Sequence, residues 1–198
     1  MAQQEADGDV VVGDRSEELD QLADRLIPGH NRAEVVRGMD ALFAVAATPD
    51  PPPSGFESGK LLATSTWGPW DALMMSLAHH WMPWLGKGFA ASTGTGVNHF
   101  LPTALTFMLL RVMFPRYKAE RVLRDRIEAF PFRTRIAPGE LDPQVDVLKI
   151  DYDFEANPAL IRHILDELVQ IRPGRYLGKV LFRVGDRFHR IGYFSLEA

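Results

Sequence analysis

Residues 145 to 197 constrain the fold more than any other stretch, because strand alternation recurs there at short intervals between turn-forming residues. In VDVLKIDYDF, Leu148, Ile150, Tyr152 and Phe154 alternate with Lys149, Asp151 and Asp153. That two-residue period is the mark of a half-buried strand. Tyr176, Val180, Phe182 and Val184 share a face further on, as do Phe188, Phe194 and Leu196, and Gly185-Asp186 joins the two runs as a hairpin turn. Between them, Asn157-Pro158 is expected to open a helix, since proline at a first helical position sacrifices no hydrogen bond. Ile161, Ile164, Leu165 and Leu168 form its apolar stripe, and Pro173-Gly174 ends it. The expected unit is a curved antiparallel sheet braced by one helix.

The remainder of the chain fits around such a sheet. Ser16 is read as the cap of a helix carrying Leu19, Leu22, Leu26 and Ile27. After Pro28-Gly29, Asn31 and Glu34 form a capping pair for a second helix with Val35, Met39, Leu42, Phe43 and Ala46 on one side. The proline-rich segment TPDPPPSG, residues 48 to 55, separates this helical part, residues 1–50, from a main domain over 55–198. KLLATSTW and FPFRTRIAPG read as strands, and residues 71 to 81 as a helix. Residues 103 to 114, almost wholly apolar, suit either a buried strand or a buried helix, which periodicity does not separate. Short turns between strands favour an α+β fold: a mainly antiparallel sheet rolled into a barrel, with N-terminal helices and one bracing helix.

Composition narrows the function classes. Of 198 residues, 46% are hydrophobic, enough for an ordinary core, and the formal charge of -4 with dispersed basic residues argues against nucleic acid. Cysteine is absent, so thiol chemistry and disulfides are excluded, in keeping with a cytoplasmic location. The acidic, polar start MAQQEADGD predicts no targeting peptide, and no uninterrupted apolar run predicts a membrane span.

Trp84-Leu85-Gly86-Lys87 with Phe89 and Asn98, then Ile150-Asp151-Tyr152-Asp153, Asn157-Pro158 and Arg162, then Gly174 through Gly178 and Tyr193 through Glu197, form a set. The set resembles uncharacterised bacterial lipocalin-like domains of the GXWXXG type across residues 55 to 197. The resemblance implies a barrel with an apolar interior and directs attention to Asp151-Tyr152.

Several groups could act inside such a barrel. Alternation turns Asp146, Tyr152, Tyr176 and Arg190 toward the apolar side, a set suited to proton transfer and anchoring because burial and pairing shift proton affinities there. The competing reading leaves Asp146 and Arg190 at wet rims, with the tyrosines as core. Asp151 falls on the opposite face, paired with Arg162, Arg133 or Arg183, unless a bulge turns it inward. Trp81 and Trp84 with Met82, Met74 and Met75 could form an adaptable mouth; Lys87 stands between glycines; Phe132 and Phe182 supply wall. The adjacent His79 and His80 diverge by about 100° on a helix, which disfavours a shared metal. Neither metal nor cofactor is expected.

Three functions follow. One is a cofactor-free cyclase or isomerase for an apolar, polyketide- or terpenoid-like substrate, using Asp151, Tyr152 and Asp146, with Tyr176, Arg190, Trp84, Lys87, Trp81, Phe132 and Phe182 as binding residues. A second is a carrier of a hydrophobic ligand. The third is a dimerisation or scaffold domain, its N-terminal helices exchanged in a homodimer.

Overall fold

A computed structural model describes residues 14–25, 32–64 and 84–198. Eight antiparallel strands close into a barrel: β1 (Gly55–Thr64), β2 (Trp84–Ala90), β3 (Thr95–Phe100), β5 (Ile127–Pro138), β6 (Asp146–Asp151), β7 (Ile164–Arg172), β8 (Arg175–Val184) and β9 (Arg187–Glu197). Pairing of β3 with β5 and of β9 with β1 completes the ring. A two-residue strand, β4 (Arg121–Val122), lies along β5. Three helices are described: α1 (Ser16–Asp24), α2 (Arg32–Val45) and α3 (Ala104–Met113). The expected antiparallel barrel with accompanying helices is what forms.

The helix expected after Asn157-Pro158 is instead a 3-10 turn at Ile161–His163 followed by β7. β7 is buried on both faces, with Leu168 turned into the barrel and Val169 and Ile171 out toward the helices. Two-sided burial erases the polar half of the alternation. The spacing of Ile161, Ile164, Leu165 and Leu168 then imitates a helical stripe. The undecided run 103–114 is helical, opened by Thr103, whose side chain accepts from Thr106 N.

Two cores result. The outer one packs α1 and α2 against the barrel wall: Leu19, Val35, Met39, Leu42 and Phe43 meet Val147, Val169, Ile171, Leu177 and Tyr193. Each fully buried side chain of this kind contributes about 1.5–3 kcal/mol. α1 is positioned by Asp14, whose Oδ1 accepts from Ser16 N at 2.8 Å, while the Ser16 hydroxyl, expected as the cap, accepts from Arg172 Nε at 3.0 Å. The inner core fills one end of the barrel with Phe89, Phe132, Leu148, Leu168, Tyr176 and Leu196.

Irregular pairings steer side chains between the cores. In β9, Gly192 opposes Val180 but Arg190 opposes Leu181, so Ile191 is an extra residue that reverses the facing of what precedes it. Gly178 lies under the Phe194 ring, where any Cβ would collide with it.

Candidate functional site

A cavity of about 380 Å3 occupies the other end of the barrel, lined mainly by apolar side chains that include Leu61, Trp84, Phe100, Phe130, Ile164, Val180 and Phe194. Four polar residues interrupt that wall: Lys87, Asn98, Tyr152 and Asp166. Each comes from a different strand or strand end, so the cluster exists only once the barrel is closed.

Lys87 is the hub. Its Nζ lies 2.8 Å from Asp166 Oδ2, donates to Asn98 Oδ1 at 3.0 Å and donates to the Tyr152 hydroxyl. Tyr152 in turn donates to Asp166 Oδ2 at 3.0 Å, and Asn98 Nδ2 donates to the Tyr152 oxygen at 3.1 Å. Trp84 Nε1 adds a bond to Asn98 Oδ1 at 3.2 Å. Asp166 Oδ1 is buried with no hydrogen-bond partner among the described residues. The ammonium also sits 5.1–5.5 Å from the ring centroids of Trp84, Phe132, Tyr152 and Phe194, a favourable cation–π setting.

Burial governs the proton affinities. It pushes the Lys87 ammonium below the ordinary lysine value against the opposing pull of Asp166. Burial, reinforced by the Asp166 charge, also holds the Tyr152 phenol well above its ordinary value. Desolvation of a charge is tolerated here only because the partners are placed to meet it.

Local backbone irregularity builds the site. Opposite Val97 of β3, Phe130 and Pro131 bulge out of β5, and Phe130 takes a φ of 55°. The bulge turns the Phe130 carbonyl to accept from Asn98 Nδ2 at 3.2 Å, and Phe130 N donates to the Tyr117 hydroxyl at 2.6 Å. Tyr117 stacks on the Phe130 ring at 5.0 Å, and burial pushes its phenol up to about 12. On β2, Gly86 has a φ of 144° and lies where a Cβ would strike the Glu57 carbonyl oxygen. Glycine at that position lets β2 shift register between Trp84 and Gly86, so that the Trp84 and Lys87 side chains both reach the cavity.

No family model matches this chain, and no curated protein matches it. A crystal structure of a protein from Thermomonospora curvata is similar at 20% identity and a TM-score of 0.49, covering 91% of this chain and 97% of that one.

The residues singled out from sequence scatter across this geometry. Tyr152, Lys87 and Trp84 meet at the cavity. Phe132 is buried beneath them, its ring 5.6 Å from that of Tyr152. Tyr176 faces the interior in the packed end, away from the cavity wall, and Phe182 stacks on His163 at 5.7 Å. Three expectations are corrected. Asp146 is exposed at the start of β6. Arg190 is carried outward by the Ile191 bulge and pairs with Asp40 of α2. Asp151 remains on the outer face, because β6 pairs without a bulge, and it meets Arg135 at 3.0 Å. Trp81, Met74, Met75, Met82, His79 and His80 lie outside the described residues. His99 faces outward, stacked on Phe56 at 5.1 Å and 3.9 Å from Glu128.

Sequence reasoning missed Asp166, hidden in the stretch assigned to a helix, and left Asn98 without a role. The alternation Ile164-Asp166-Leu168 was the available signal.

Among the described residues no helix is long and apolar enough to cross a membrane.

Proposed function

We propose that the protein binds a small, largely apolar molecule inside the barrel and holds one polar group of it against Lys87, Asp166, Tyr152 and Asn98. The observation that carries this reading is a fully buried ion pair beside a cavity that is otherwise apolar. Replacing such a pair by hydrophobic side chains is often neutral or stabilising. A barrel selected for stability alone would have no need of it. The cavity's size falls within the roughly 300–1,000 Å3 common to small-molecule sites.

The same geometry favours proton transfer without a cofactor over simple carriage. Asp166 Oδ1 has an unused lone pair, so Asp166 is the base and Tyr152 the donor that polarises a carbonyl, in an isomerase- or cyclase-like reaction whose remaining contribution is orientation by the walls.

The test uses N-phenyl-1-naphthylamine, whose fluorescence rises in apolar surroundings. Saturable enhancement at one probe per chain is expected, and Val180→Trp, which fills the cavity from its wall, should weaken it by at least about tenfold, or 1.4 kcal/mol. Equal affinity in the two proteins would discard the reading.

A further inference from the structure

We propose that Lys87 captures an aldehyde group of an otherwise apolar ligand as an imine, with Asp166 as its proton carrier and counter-ion. The inference rests on the binding reading above and adds to it the functional group being recognised.

An amine attacks a carbonyl only when its lone pair is free. Burial of Lys87 favours the neutral amine. Asp166 Oδ2, 2.8 Å from Nζ, is near enough to take the departing proton. The nitrogen then bonds to the carbonyl carbon as the C=O π bond opens, and one of the nitrogen's own protons passes to the oxygen, giving a neutral carbinolamine. Asp166 returns a proton to that hydroxyl, the C–O bond breaks, and water leaves as the C=N bond forms. The sum is one aldehyde plus one amine giving one imine plus one water, with no oxidant or reductant required. A protonated imine keeps the positive charge where Asp166 and the surrounding rings already stabilise one. The apolar wall limits the water that would hydrolyse it.

Contrast with the other buried lysines sharpens the assignment. Lys179 is as buried as Lys87, but it is packed over the Phe43 ring under α2 and paired with Asp142. Lys149 is paired with Glu140 at 2.5 Å on the outer wall. Of these three, Lys87 alone borders the cavity.

The whole protein is mixed with 2-naphthaldehyde and sodium cyanoborohydride, which fixes an imine as a secondary amine, and the modified peptide is sequenced by mass spectrometry. One naphthylmethyl group on Lys87, formed ahead of adducts on exposed Lys60 and Lys118, is the expected result. Asp166→Asn should slow its formation by about 10²-fold. The double variant Lys87→Met/Asp166→Leu, which removes both charges together and whose folding is checked by circular dichroism, should form no cavity adduct. Modification of Lys60 and Lys118 with Lys87 untouched, while N-phenyl-1-naphthylamine still binds, overturns the imine and leaves the binding reading standing. Failure of both probes discards both.

Discussion

Buried charge occurs on both sides of the barrel wall, and the two sides handle it differently. Outside, Asp40 holds Arg190 and the Tyr193 hydroxyl, and Asp142 holds Lys179, all at the seam where α2 covers the strands. These pairs join two elements, and they are partly open to solvent: the Arg190 and Asp40 side chains are 25% and 36% exposed. Inside, Lys87 and Asp166 join strands that the hydrogen-bond ring already holds, and they border a cavity. The outer clusters therefore belong to assembly of the fold, whereas the inner one is spare to it. Spare buried charge beside a cavity is what a ligand site requires.

The sharpest way to break that comparison is to unpair the inner cluster. Lys87→Met leaves the buried Asp166 carboxylate without its cation, and should cost about 3–5 kcal/mol in urea unfolding, whereas Lys87→Met/Asp166→Leu should recover most of it or exceed the parent. If the double variant is no more stable than the single, the pair is structural and the contrast fails.

Truncation of apolar residues gives the next largest difference. Leu177→Ala, in the outer core, should cost about 2–5 kcal/mol because it opens a void in close packing. Val180→Ala only enlarges a space that exists, so its cost in the same assay should stay below about 1.5 kcal/mol.

A pH series probes Glu57, which opposes Lys87 in the β1–β2 ladder. Burial raises its carboxyl above 4.5, so the folded state prefers the protonated form. Its contribution to stability is complete below pH 4.5 and is lost as pH rises through the raised folded value. Glu57→Gln should flatten that decline, read as a smaller fall in Tm as the pH is raised from 4.5. An unchanged slope would assign the decline elsewhere.

The smallest effect is expected at Asp151. Its pair with Arg135 is solvent-exposed, so Asp151→Asn should change stability by less than about 1 kcal/mol and leave N-phenyl-1-naphthylamine binding as it was. A loss of binding would restore Asp151 to the site.

How much of this was legible depended on whether a residue's surroundings were local. Alternation in β6 is visible because Lys149 and Asp151 stay polar between Leu148, Ile150 and Tyr152, although Lys149 is itself buried, and Gly185-Asp186 forms the turn between β8 and β9. β7 could not be read that way, since α1 and α2, more than a hundred residues upstream, bury its outer face. Tyr152 and Lys87 were within reach because each stands out in its own segment. Asp166 was not, as its meaning comes from Lys87 on another strand. Arg190 misled for a comparable reason: one additional residue, Ile191, reverses the facing, and nothing in RFHRIGYF announces it.

Closure of β3 onto β5 has a last implication for traffic. A ring of strands has no seam to unzip, so a guest cannot slip sideways between neighbours without breaking a run of main-chain bonds. Passage is then along the barrel axis at the hollow end, whose wall includes Phe100 and Ile164. Residence time would then depend on how fast those few side chains change rotamer, and a bulkier one there would slow departure as well as arrival.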